Sequence, residues 1–205
     1  MTVALYFLGL YSVQPTSSIL LSSITNTSDY SFFTSNTVRE YLIFASREIA
    51  QRTPVNTRQT LTLETYPFAI HCYSRKDGLV SVAITQLDYP TRPIYHLLTM
   101  TMNQYEVRYG SCWKIQLSDT PTSSSEMTDN FNLYQNVQEA DKLYAIQTHI
   151  TEIQGITRAN LEKLLQRGEN IESLVSRSQD LSNTSKGFYT KSKKLNNCCY
   201  RWFGI

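Results

Sequence analysis

Hydrophobic and polar positions alternate in several distinct ways along this chain, and the changes of rhythm mark its elements. Val3 to Tyr11 is a short apolar run with aromatics, and Ser17 to Thr25, with Ile19, Leu20, Leu21 and Ile24, is a second. Both predict buried strands. From a cap at Ser35 or Asn36 to Arg52, the residues Val38, Tyr41, Leu42, Ala45 and Ile49 recur at helical spacing. Ile43 and Phe44 fall outside that stripe, so this helix packs on two sides or keeps a second surface for something else. Strands are predicted at 58–66, 68–74 and 79–87, where Leu61 and Leu63, then Val80, Val82 and Ile84, alternate with polar residues. Asp77-Gly78 between the last two signals a hairpin. Pro93, with Thr91 as cap, opens a helix carrying Ile94, Leu97, Leu98, Met102 and Tyr105 and ending near Gly110. After a polar loop from Ser118 to Ser125, a shorter helix carries Met127, Phe131 and Tyr134. Two strands, a helix, three strands and two helices predict an α+β domain with a five-stranded antiparallel sheet and helices on its faces.

Near 136–140 this patterning gives way to another. Alternating steps of three and four connect Leu143, Ile146, Ile150, Ile153, Thr157, Asn160, Leu164, Arg167, Ile171, Leu174, Ser178, Leu181, Ser185, Phe188, Ser192 and Leu195. That is the a/d seam of a coiled-coil helix. A stripe so narrow suits a multi-helix bundle better than docking on a globular core. Arg167 admits two readings. It is a snorkelling surface arginine, or it is a cation inside a dry seam, which is costly unless partner side chains satisfy its donors. Self-association would stack arginine on arginine, so the second reading requires unlike partners in fixed register.

Charge and composition narrow the function. The formal net charge is +2, which gives no nucleic-acid footprint. The basic excess is local: no acidic residue follows Leu181, against Lys186, Lys191, Lys193, Lys194 and Arg201. Few, unevenly placed cysteines suggest a reducing cytosolic setting. No window approaches about 18 apolar residues, so no transmembrane helix is expected, and the opening lacks a signal-peptide pattern. His71, His96 and His149 have no metal spacing and read as structural or surface residues, and seven glycines form no phosphate loop. The run Ser123-Ser124-Ser125 reads as a loop or a phosphorylation target. No enzyme, metal or cofactor is expected.

The block Leu164-Leu165-Gln166-Arg167-Gly168-Glu169-Asn170-Ile171-Glu172-Ser173-Leu174-Val175 resembles the central region of R-SNAREs, the synaptobrevin-related fusion proteins. With Phe32-Phe33, Ala50-Gln51-Arg52-Thr53, Asp88-Tyr89-Pro90-Thr91-Arg92-Pro93, Lys186-Gly187-Phe188-Tyr189 and Cys198-Cys199, nearly the whole chain resembles the Ykt-type longin R-SNAREs. The resemblance implies a longin (profilin-like) domain over 1–136, an R-SNARE coiled-coil motif over 137–197 and a double-cysteine attachment tail over 198–205. It implies that Arg167 meets glutamines from three Q-SNARE helices, syntaxin-like and related, and that the other seam residues form packing layers of a fusion-driving four-helix bundle. It implies that the longin domain folds back on the SNARE segment, with Phe44 in that contact and a lipid in the groove between them. Without that contact, Phe44 is simply packed in its domain. A longin-domain trafficking adaptor without fusion activity is the alternative.

Family lipidation places Cys198 and Cys199 as candidates, at the cytoplasmic face of Golgi, ER-derived vesicle or endosomal membranes. The sequence departs from the pattern here. Cys199 is followed by Tyr-Arg-Trp-Phe-Gly-Ile, so Trp202 is fourth from the end. Prenyl transfer needs a terminal CaaX cysteine, so the chain as written is expected not to be farnesylated. S-acylation remains open, with Tyr200, Trp202, Phe203 and Ile205 and the lysines meeting a membrane surface.

Overall fold

The computed structural model describes residues 4–15, 17–62, 68–120, 123–140, 142, 155–160, 169 and 171–194. The core of the fold is a mixed sheet in the order β2-β1-β5-β4-β3-β6. Its strands are β1 (Leu5–Gln14), β2 (Ser17–Thr25), β3 (Thr57–Thr62), β4 (Phe68–Ser74), β5 (Leu79–Gln86) and β6 (Ile156–Asn160). Neighbouring strands run antiparallel except β3 and β6, which pair in parallel. Helix α1 (Phe32–Arg52) covers one face of the sheet, and α2 (Thr91–Tyr109) and α3 (Ser125–Leu133) cover the other. Two further helices, α4 (Ile171–Arg177) and α5 (Asn183–Lys194), lie in the second half of the chain.

Strand β1 divides the core. Phe7 and Tyr11 join Val38, Leu42 and Ile49 of α1. Leu8 turns the other way, toward Ile94, Leu97 and Leu98 of α2 and Met127 and Phe131 of α3, and Leu10 packs with Met102 and Trp113 on that side. Full burial of each such side chain is worth about 1.5–3 kcal/mol, which is why the period-two rhythm holds the register. The β4–β5 hairpin turns at Gly78, whose φ is 88°; a Cβ there would meet the Val13 carbonyl oxygen at 2.8 Å, so glycine is required twice over.

Several boundaries differ from the pattern-based expectation. Helix α1 begins at Phe32, four residues before Asn36. Thr91 lies inside α2 and Pro90 holds the cap position, so Pro93 sits at the third helical residue, still within the turn that needs no amide donor. Ser124 is neither plain loop nor a free hydroxyl: it caps α3, accepting from the Met127 N–H at 3.2 Å. The α+β class stands, but the sheet has a sixth, parallel strand.

The largest correction concerns the predicted continuous helix. Thr157 and Asn160, expected as helical seam positions, lie in β6, and a break separates α4 from α5. Gly155, at φ 79°, redirects the chain into the strand, and β-branched Ile156 and Thr157 suit it. Strand β3 would otherwise leave a row of backbone donors and acceptors unpaired. Arg167, Leu143, Ile146, Ile150, Ile153, Leu164, Leu195, Cys198 and Cys199 lie outside the described residues.

Candidate functional site: the face of α1 and the edge of β3

Helix α1 has an inner and an outer side, as residues three or four apart share a face. Val38, Leu42 and Ile49 point into the core. Phe44, only 6% exposed, points away from it and packs with Leu174, Val175 and Leu181, beneath Tyr41 and Tyr189. Tyr41 was expected in the inner stripe, but its ring meets Phe44 edge-on at 6.4 Å between centroids. Its hydroxyl donates to the Ser185 carbonyl at 3.0 Å, and burial pushes the phenol pKa up. Glu40, one position back, accepts the Ser182 N–H at 2.8 Å. Ser182 in turn caps α5 by accepting from the Ser185 N–H at 3.2 Å.

The seam turns onto α1, with the off-seam Val175 buried beside it. Leu174, Ser178, Leu181 and Ser185 are all buried, whereas Ser176, Arg177, Gln179 and Thr184 between them are exposed. Phe188 is half-buried, and Ile171 and Ser192 fall in α4 and α5.

Ion pairs flank this apolar patch. Arg52 pairs with Glu48 one helical turn back and with Glu169 at 3.3 Å, while Arg177 takes the other oxygen of Glu169. Arg47 lies between two carboxylates, at 2.8 Å from Asp180 and 2.5 Å from Asp119, and also donates to the Ser18 carbonyl. Burial alone would lower the Arg47 pKa, but hydrogen bonds to Asp180 and Asp119 raise it above its ordinary value.

At the sheet edge, Arg58 to Thr62 pair in register with Ile156 to Asn160. Ala159 packs toward the α1 side and Ile156 toward the α2 side, while Arg158 reaches the Thr91 hydroxyl at 3.4 Å. Thr157 is exposed. Beneath the edge runs a polar chain. Tyr95 meets Thr60 at 3.1 Å, Thr60 meets His71 Nδ1 at 3.0 Å, and His71 Nε2 meets Thr85 at 3.1 Å. Thr85 donates onward to the Gln86 carbonyl, so Nε2 of His71 donates and Nδ1 accepts. The imidazole is neutral: burial holds its pKa down to about 3, with Arg158 acting in the same direction. His71 is thus a structural residue, and His96, bonded through Nδ1 to the Tyr134 hydroxyl at 2.7 Å, is another.

The site therefore binds the chain's own second half and holds no catalytic constellation among the described residues. Phe44 is conspicuous in sequence, Tyr41 reads as a core-stripe residue and Arg52 as part of a family motif, whereas Glu40, Arg47 and Asp180 carry no sequence signal. Tyr41 carried a usable signal, since it lies three residues before Phe44 on a helix.

Residues 27–132 match the regulated-SNARE-like (longin) domain family, and residues 142–202 match the synaptobrevin family. The chain is 34% identical over 181 residues to the VAMP-like protein YKT61 of Arabidopsis thaliana, covering 88% of this chain and 89% of that protein. It is 35% identical over 185 residues to YKT62 of the same plant, covering 88% and 89%. The synaptobrevin homolog YKT6 of Debaryomyces hansenii is 31% identical over 197 residues, covering 95% and 98%. The chain belongs to the Ykt-type longin R-SNARE family. This longin R-SNARE is accordingly a membrane-trafficking protein rather than an enzyme, and its partners are other SNAREs. Among the described residues of the longin R-SNARE, no helix is long and apolar enough to cross a membrane.

Proposed function

We propose that this R-SNARE drives vesicle docking and membrane fusion by zippering its 137–197 segment with three Q-SNARE helices, and that its longin domain, 1–136, restrains that step. Arg167 supplies the ionic central layer, facing three glutamines, and the seam residues from Leu143 to Leu195 supply the packing layers. Phe44 holds the restrained form. Cys198 and Cys199 carry acyl groups that attach the chain to the cytoplasmic face of a Golgi, ER-derived or endosomal membrane. A lipid chain occupies the groove between longin domain and SNARE segment in the restrained form.

The observation that supports this most is the double use of one stripe. Leu174, Ser178, Leu181 and Ser185 are buried, Leu174 and Leu181 against Phe44 of α1, and the same residues continue the three–four spacing that a bundle would need inside. A stripe cannot be buried in both places at once, so closure and assembly exclude each other.

Mixing the chain with Q-SNARE helices and following a denaturant-resistant complex tests the reading. A complex is expected with the wild type, and a mis-registered or weakened one with Arg167→Ala. Indifference to Arg167→Ala would favour a longin adaptor that uses the segment only for docking. Intact mass spectrometry of protein from cells reads acylation at Cys198 and Cys199 directly; an unmodified tail on membrane-bound protein would refute that part.

A further inference from the structure

The Arg47 guanidinium has two acidic partners of different kinds. Asp119 is anchored within the longin domain: its Oδ1 accepts the Leu20 N–H at 2.8 Å, and the neighbouring Thr120 is bound to the Leu20 and Leu21 carbonyls at 2.8 and 3.0 Å. Its Oδ2 accepts from Arg47 at 2.5 Å. With the Ser18 carbonyl taking another donor and the Tyr11 ring centroid 5.8 Å from the guanidinium carbon, β1, β2 and the 116–120 loop hold the guanidinium independently of Asp180. The Nε–H is the donor these groups leave over, and Asp180 accepts it at 2.8 Å. Asp180 lies in the turn between α4 and α5, two residues after Ser178 and one before Leu181. It falls outside the seam stripe, so its carboxylate has no place in the interior of a bundle. The pair is sheltered, with side chains of Arg47 and Asp180 at 17% and 13% exposure, against 41% for Asp119.

We propose that Arg47 is a shared-cation latch on the closed form, which Asp119 holds in position and Asp180 engages only when the SNARE segment is folded back. The inference rests on the closed-form reading given above and deepens it. When Asp180 leaves, Arg47 keeps Asp119 and the Ser18 carbonyl, so no buried cation is stranded and opening remains affordable. Asp119 thereby orients the latch and keeps the cation compensated when it opens. Removing either carboxylate should loosen closure, Asp180 by loss of the contact itself and Asp119 by loss of the anchor that positions Arg47.

Amide exchange of residues 171–189 in the full chain tests this, with exchange in β1 and β5 as the control for an intact fold. Asp180→Asn should raise exchange of that segment on the order of tenfold, the loss of one charge-assisted hydrogen bond. Arg47→Gln should raise it at least as much, because two carboxylates are then left facing each other. Asp119→Asn, which keeps the Oδ1 acceptor for Leu20 but turns an amide donor toward the Arg47 donor, should free Arg47 from its anchor and raise exchange by less than Asp180→Asn. Exchange in Asp180→Asn or in Asp119→Asn that matches the wild type overturns the latch. Phe44→Glu separates the two levels. If it raises exchange while Asp180→Asn does not, the closed form stands and the latch falls; if it changes nothing, both fall.

Discussion

Phe44 of α1 packs against Leu174 of α4, 130 residues later in the chain, and neither side chain is more than 6% exposed. A buried phenylalanine normally belongs to the core of its own domain. Here the helix that bears it sends Val38, Leu42 and Ile49 into that core and gives Phe44 to the SNARE segment. On the proposed function, this contact opens without unfolding the domain.

Truncation of Phe44 should show this division. In a core, Phe→Ala costs about 3–5 kcal/mol of global stability. For Phe44→Ala the loss should fall on closure: exchange across 171–194 rises, while the thermal midpoint of the longin domain moves little. A large drop in that midpoint would make Phe44 an ordinary core residue.

Ala159→Glu separates the strand form of 156–160 from its helical alternative. In β6, residue 159 packs toward the α1 side of the core, where a carboxylate is costly. In the three–four stripe it lies between Thr157 and Asn160, on the outward side, and Glu favours helix more than most residues. The variant should expose the β3 edge, seen as faster exchange at Thr60 and Thr62, and leave Q-SNARE assembly intact or faster. Loss of assembly would contradict the outward placing.

Acid should destabilise the longin domain through His71. Its pKa falls from about 6.5 unfolded to about 3 folded, so below pH 6.5 the unfolded chain binds a proton that the folded domain does not. Above that pH both states are neutral and there is no penalty. Between 6.5 and 3, stability should fall by roughly 1.4 kcal/mol per unit from this group. Urea midpoints from pH 7 to 4 should drop more steeply in the wild type than in His71→Gln, and equal slopes would count against it.

Much of this arrangement is legible in the residues themselves. Alternation in Val80, Val82 and Ile84 gives β5, Asp77-Gly78 gives its hairpin, and helical spacing gives α1 with Phe44 left over. These elements are decided locally or by one apolar face. Strand β6 is not, because the spacing of Ile153, Thr157 and Asn160 describes the helix that the segment would form with partners. Its pairing with β3 depends on an edge that lies about a hundred residues away. The same holds for Arg47, whose partners Asp119 and Asp180 are 72 and 133 positions distant; no local pattern connects them. Periodicity reveals that Leu174 and Leu181 share a face, but what covers that face is a tertiary fact.

Concealment by α1 of the stripe that a SNARE bundle requires is the core of the proposed mechanism. Its most direct test is the rate at which the full chain assembles with Q-SNARE helices, compared with Phe44→Glu under identical conditions. Mutual exclusion predicts slow assembly for the wild type and at least tenfold faster assembly for Phe44→Glu, with the same final complex. Equal rates for the two proteins would contradict it.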